Sequence, residues 1–223
     1  MKTVLVVAAH PDDEVLGCGG TMARHADEGD RVYVIFLADG VSARQTGPGV
    51  ENLVSRRRAC DDALALLGVI GVQYLDFPDN RLDSMPLLDL VQALEPLIAT
   101  IGPQIIYTHH HGDLNVDHQL VHQAVMTACR PMPFSIVKEI FTFEVASSTE
   151  WNSPDRNPFM PQMRVDISAQ LERKMQALAV YCDEMRPGPH SRSIEHLRAM
   201  AIHRGHEAGL FAAEAFAVIR LIR

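Results

Sequence analysis

KTVLVVAAHPDDEVLGCGG, residues 2–20, joins a strand, a sharp turn and the start of a helix, and it sets four ionisable side chains in the turn. Val4 to Ala9 is an unbroken apolar, β-branched run, the pattern of a strand covered on both faces. From Val15 onward the spacing reads as a helix, so His10, Asp12, Asp13 and Glu14 fall where a strand ends and a helix begins. In an open α/β sheet, ligands bind at that end of the strands. Acids in a helix's first turn gain about 0.3–1 kcal/mol each from the helix dipole. That accounts for Asp12, Asp13 or Glu14 taken singly, but not for His10, which when charged prefers the opposite helix end. Two adjacent aspartates beside a histidine repel one another unless a cation lies among them. Imidazole with carboxylate suits zinc, and a catalytic zinc site takes three protein ligands and keeps an open position. His10 and Asp13 supply two of them. The third must come from elsewhere, and residues 108–118, THHHGDLNVDH, are the donor region because they follow another apolar strand.

Strands and helices then alternate along the chain. Val32–Leu37, Val72–Phe77 and Gln104–Thr108 read as further strands, with helices over Val15–Glu28, Asn52–Leu67, a stretch from Pro86 to Gly102, and one opening at Asp117 and His118. Gly17, Gly19 and Gly20 each cost a helix about 1 kcal/mol relative to alanine, so something must approach that helix closely. Residues 41–50 read as a mobile loop over the site, and 147–163 as a polar, proline-rich loop carrying Trp151 and Phe159, either to stack on a bound ligand or to anchor the loop. Ile136–Val145 is a further strand, Ser168 caps the next helix, Ser193–Leu210 is the last helix, and Phe216–Ile222 ends the chain as an edge strand. The alternation predicts an α/β fold of three layers: a Rossmann-like, mostly parallel sheet with helices on both faces, forming one domain over residues 1–223.

AHPDDE after a first strand, followed about a hundred residues later by an Asp-His pair opening a helix, resembles the LmbE/PIG-L family of zinc-dependent N-acetylglucosaminyl deacetylases. LADG at 37–40, FPDNRLD at 77–83 and DLNVDH at 113–118 extend the resemblance over most of the chain. It implies Zn2+ held by His10, Asp13 and His118, with Asp12 free of the metal as general base. It also implies release of acetate and a free amine from an N-acetylglucosamine-type sugar or glycoconjugate. Arg56 matches the family's pocket arginine, and Asp39, Asp79 and His111 join it as substrate-binding candidates at the carboxyl edge. The family often carries a histidine three residues before the zinc histidine. Here that place holds Asn115, whose amide can donate to an oxyanion but cannot shuttle a proton, so Asn115 or one of the preceding histidines is the electrophile. A local alternative pairs His118 with His122 one helical turn away.

A formal charge of −8 argues against nucleic acid or an anionic membrane as partner. No apolar run is long enough to span a bilayer, and Met1-Lys2 leads straight into a strand, so a cytoplasmic protein is expected. Four dispersed cysteines, with no Cys-x-x-Cys pair, fit reduced thiols. The partner is a small N-acetylated sugar or glycoconjugate, and a homo-oligomer remains open. Two other functions compete. GCGG after a strand suggests a nucleotide-binding, Rossmann-type oxidoreductase, although Met22 occupies the third glycine's place. The other is a non-catalytic metal- or sugar-binding protein. HRGHE at 203–207 matches no zinc-protease motif.

Overall fold

The computed structural model describes residues 1–43 and 50–223, with only the backbone of 50–52. β1 (Thr3–Ala8), β2 (Arg31–Ala38), β3 (Gly71–Phe77), β4 (Ile105–His109), β5 (Glu139–Phe143), β6 (Met163–Asp166) and β7 (Ala213–Leu221) form one sheet in the order β3-β2-β1-β4-β5-β7-β6. The five strands from β3 to β5 are mutually parallel, and β7 runs antiparallel to both its neighbours. β1 lies at the centre, and every side chain from Val4 to Ala9 is fully buried.

The apolar run in β1 is unbroken because both its faces are covered. Val4, Val6 and Ala8 pack with the apolar sides of α1 (Asp13–Asp27), α2 (Val50–Leu67), α5 (Leu171–Val180) and α6 (Ile194–His206). Leu5, Val7 and Ala9 pack with α3 (Leu87–Ile101) and α4 (Val116–Ala128). This is the expected three-layer α/β fold. From β1 the chain winds outward one way through β2 and β3, and the other way through β4 and β5. The crevice between β1 and β4 is therefore the topological switch point, where the carboxyl ends of the strands leave room for a ligand.

The glycines of α1 answer a steric demand. A Cβ at Gly17 would stand 2.2 Å from the Phe143 ring, and one at Gly20 would stand 2.7 Å from Ile167. The helix is also broken at Cys18, with φ −146° and ψ 25°. Glu214 of β7 accepts the N–H groups of Gly20 (2.9 Å) and Thr21 (2.7 Å) at that break. Lys174 of α5 donates to Leu16 O at 2.9 Å and to Glu214 at 2.6 Å. These backbone groups, left outside the regular helical pattern, thus find charged partners in the interior.

Three expectations need correction. β7 is not an edge strand, because β6 pairs along its outer side. β6 holds only MRVD and lies where the sequence reads as the end of a loop, too short to register as a strand. Ser168 does not cap α5, whose N-cap is Gln170; its hydroxyl instead accepts the N–H of Ala212 at 3.2 Å, tying β6 to β7. Of the loop read over 41–50, residues 44–49 lie outside the described residues. Among the described residues no helix is long and apolar enough to cross a membrane.

Candidate functional site

Two loops meet at the switch point. The first leaves β1 and enters α1 through His10, Pro11 and Asp12. The second leaves β4 and enters α4, whose N-cap is Asn115; its Oδ1 accepts the Asp117 N–H at 2.8 Å, as a capping asparagine does. This cap sets His118 in the first turn of α4, facing the β1 loop. Nε2 of His118 lies 3.2 Å from Asp13 Oδ2, and the same carboxylate oxygen lies 3.2 Å from Nδ1 of His10. One donor atom each from His10, Asp13 and His118 falls within 4.8 Å of the other two, and all three residues are buried.

Unspent bonding capacity makes this cluster a candidate cation site. Asp13 Oδ1 and both ring nitrogens of His118 are buried without a hydrogen-bond partner of good geometry, a costly state for groups of this polarity. Asp113 lies beneath His118, its Oδ2 3.2 Å from Nδ1, which leaves Nε2 facing Asp13. A carboxylate behind a histidine is the usual way of orienting a metal ligand. His10 has the same arrangement, with Nε2 3.1 Å from both Asp79 Oδ1 and Asp117 Oδ2. Burial lowers the pKa of His118, but the charge of Asp13 and the contact with Asp113 outweigh it and raise the ring to about 9. Burial likewise opposes charge on His10, and its contacts with Asp117, Asp13 and Asp79 hold it well above the ordinary value. The carboxylates hold positive charge at this point, a place that a divalent ion can take from the protons.

Asp12 stands apart from the cluster. It occupies the N-cap of α1 yet makes no side-chain cap, and its backbone adopts φ 122°, which L residues rarely do. Its carboxylate turns toward Arg192, whose Nη1 donates to Oδ2 at 2.8 Å, and toward Arg56, whose Nη2 lies 3.5 Å from Oδ1. Burial raises the Asp12 pKa more than Arg192 and Arg56 lower it, leaving it above the ordinary carboxylate value. Glu14 is tucked behind, accepting from Tyr181 and from the Asp12 N–H, and burial pushes it up to about 8.

These side chains open onto a cavity of about 230 Å³ whose walls include Asp12, Arg56, Asp79, Asn115, His118 and Arg192. A larger space of about 660 Å³ lies at the amino ends of the strands, away from this cluster. Arg56 and Asp79 are thus both brought to the wall of this cavity. Asn115 also lines the cavity, with its Nδ2 donating to Asn80 Oδ1 at 3.1 Å. Asp39 and His111 are placed outside its lining. Asp39 braces the end of β2 by accepting the N–H groups of Val41 and Ser42, both at 2.9 Å. His111 is exposed, its ring 4.5 Å from that of His110 and 5.4 Å from that of His122. His122 is turned from the cluster, with Nδ1 at 2.9 Å from His109 O. His109 accepts the Ala9 N–H at 2.8 Å and stacks on His118 with centroids 3.9 Å apart, so it packs behind that ring.

The loop between β5 and β6 is pinned beside the site. Ser148 and Thr149 donate to Asp113, and His110 Nε2 lies 2.7 Å from Asn157 O. Phe159 anchors it edge-on to His110 at 5.3 Å, whereas Trp151 is 54 % exposed and touches His190. Glu184 and Arg192 carry no sequence signal. They lie between α5 and α6, where no motif marks them, and reach the site through the fold. The glycine run that suggests a dinucleotide fingerprint is packed inside α1 against Phe143 and Ile167, with no room for a pyrophosphate.

With the cluster and its geometry in place, comparison with known proteins gives the family. Residues 5–129 match PIG-L, GlcNAc-PI de-N-acetylase. The chain belongs to the PIG-L family of deacetylases. It is 34 % identical over 167 residues to the uncharacterised deacetylase YaiS of Escherichia coli, covering 73 % of this chain and 80 % of that protein. It is 31 % identical over 139 residues to a probable N-acetyl-α-D-glucosaminyl L-malate deacetylase of Bacillus cereus, covering 59 % of this chain and 63 % of that protein. Its fold superposes on the N,N'-diacetylchitobiose deacetylase of Pyrococcus horikoshii with a TM-score of 0.79 at 22 % identity, over 98 % of this chain and 84 % of the other. The two loops that meet at the switch point both lie within the PIG-L match, while Glu184 and Arg192 lie outside it.

Proposed function

We propose that this PIG-L member is a zinc-dependent amide hydrolase that removes the acetyl group from an N-acetylglucosamine-type sugar or glycoconjugate, giving acetate and a free amine. The observation that carries this reading is the trio His10, Asp13 and His118, with unspent valences on Asp13 and His118, beside a carboxylate, Asp12, that lines one cavity with both histidines. Two histidines and an aspartate are a zinc donor set. When bound, zinc supplies positive charge that polarises the acetamide carbonyl and eases ionisation of the attacking water.

The remaining work falls to side chains. Asp12, held above the ordinary carboxylate pKa, accepts the proton of the attacking water and returns it to the departing nitrogen. Because Asn115 cannot carry a proton, its part is to donate from Nδ2 to the oxyanion, exchanging Asn80 for that contact. Asp79, which keeps its charge because its contact with His10 outweighs the burial penalty, and Arg56 bind sugar hydroxyls. Asp39 supports the wall through the Val41 and Ser42 turn. His111, on the surface, meets only a part of the substrate projecting beyond the cavity. A space of about 230 Å³ is smaller than the roughly 300–1,000 Å³ of pockets for drug-sized ligands, which fits a single pyranose ring with its conjugate outside. Free thiols at all four cysteines and the charge of −8 fit a cytoplasmic protein acting as one domain on a small sugar rather than on nucleic acid.

Acetate release by the zinc-loaded protein, screened across N-acetylglucosamine conjugates, nucleotide-linked sugars and chitooligosaccharides, tests the proposal. Chelation should abolish release and zinc restore it. Asp12→Asn should keep its zinc and lose about 100- to 10,000-fold in kcat, the range of a general base. Equal zinc loss in the Asp12 and Asp13 variants would show that their roles are wrongly divided.

A further inference from the structure

An aspartate at a helix N-cap has a default occupation. Its carboxylate accepts an N–H of the first turn, worth about 1 kcal/mol, and its backbone sits in the β region. Asp12 does neither, despite being 2 % exposed and placed to do both. Something must hold the carboxylate in the cavity against that alternative, and the contacts name what does. Arg192 donates through Nη1 to Asp12 Oδ2 at 2.8 Å, while its Nε is fixed by Ser147 Oγ at 2.6 Å. Arg56 approaches the other carboxylate oxygen at 3.5 Å and also donates to Pro11 O, its guanidinium 5.6 Å from the ring centre of Tyr181. Glu184 ties the two arginines together, through Oε1 to Arg56 Nη1 and through Oε2 at 3.6 Å from Arg192 Nη1. The four form a closed lattice of two cations and two anions, so neither guanidinium sits buried without an opposite charge.

We infer that Arg192, anchored with Arg56 by Glu184, is a positioning residue that keeps the Asp12 carboxylate turned into the cavity and away from the first-turn amides of α1. Arg192 does not itself bind the sugar; its effect on turnover passes through Asp12. Planar geometry suits the task, because one guanidinium edge can grip a carboxylate while another N–H is held by the scaffold. Glu184 and Arg192 both come from the connection between α5 and α6, beyond the residues that match the PIG-L family, so this support belongs to the part of the chain that the family match leaves unassigned.

The catalytic half of the test rests on the proposed deacetylation, and a crystallographic half does not. With N-acetylglucosamine and chitooligosaccharides as probes, Arg192→Ala should lose about 100-fold in kcat at nearly unchanged KM and zinc content. Guanidinium ion added to Arg192→Ala should recover about tenfold of that loss, and Arg192→Lys should retain an intermediate rate. Glu184→Gln, which preserves shape, should show a smaller loss of the same kind if Arg192→Ala folds poorly. In crystals of zinc-loaded Arg192→Ala, the Asp12 carboxylate should be found on a first-turn N–H of α1. An Asp12 carboxylate that stays in place overturns the inference, as does a rise in KM at constant kcat, which would make Arg192 a substrate-binding residue. Should the unaltered protein release no acetate, deacetylation falls, and the position of Asp12 in the variant crystal still decides the role of Arg192.

Discussion

Gly17→Ala puts a single methyl group where α1 meets β5, and its effect reaches the cluster of His10, Asp13 and His118. The added carbon would lie 2.2 Å from Cδ2 and 2.6 Å from Cγ of Phe143, where ordinary contact starts near 3.4 Å, so the ring must retreat by about 1 Å. Phe143 is wholly buried and stands edge-on to His109 at 4.9 Å, and His109 stacks on His118 at 3.9 Å. Overpacking of this kind costs about 1–3 kcal/mol, against which alanine returns up to about 1 kcal/mol of helix propensity. With that full return the net loss is at most about 2 kcal/mol, or up to about 8 °C in Tm for a chain of this size. Urea unfolding of the metal-free variant reads the stability, and competition with a chelator reads the zinc affinity, which should fall with it. The double variant Gly17→Ala/Phe143→Leu should recover part of both losses, because the two sites share one contact. A stabilised Gly17→Ala protein, as helix propensity alone would give, refutes the packing argument.

Three further outcomes can be checked. Glu214→Gln removes the carboxylate from a buried pair whose side chains are only 2 % and 4 % exposed, and should cost about 3–5 kcal/mol in unfolding free energy by leaving the Lys174 charge uncompensated; replacing Lys174 by Met as well should restore much of it. Glu14 keeps its proton in the fold up to about pH 8 but loses it near 4.5 when unfolded, so the native state binds the extra proton between those values. Stability of the metal-free protein should therefore fall by roughly 1.4 kcal/mol per pH unit across that window, and Glu14→Gln should flatten the curve; an unchanged slope would mean the carboxyl is ionised in the fold. Asn115→Ala should lose about 1 kcal/mol as a cap and about 100-fold in kcat as an oxyanion donor, with zinc content preserved; unchanged turnover would confine Asn115 to capping.

The layered fold and the meeting of the two loops could be read along the chain, because each depends on local patterns. An unbroken run such as Val4–Ala9 has few homes other than a strand covered on both faces, and a strand leading into a helix through polar residues places those residues at a sheet's carboxyl edge. HPDDE and DLNVDH each sit on such a junction, so the fold had only to put β1 beside β4 for His10, Asp13 and His118 to converge. Other features could not be read that way. β6 is four residues long and owes its existence to its pairing with β7, which also moved β7 in from the edge. The close approach that the glycines of α1 signalled was legible, but its partners, Phe143 and Ile167, were not, since they are far away in sequence. Asp12 could be named as a carboxylate beside His10, Asp13 and His118, yet the groups its side chain meets are arginines 44 and 180 residues away, joined by a glutamate that no motif marks. Side chains of one motif are carried together by one stretch of backbone. A charge lattice gathered from separate loops exists only once the core has packed and brought those loops to the same edge.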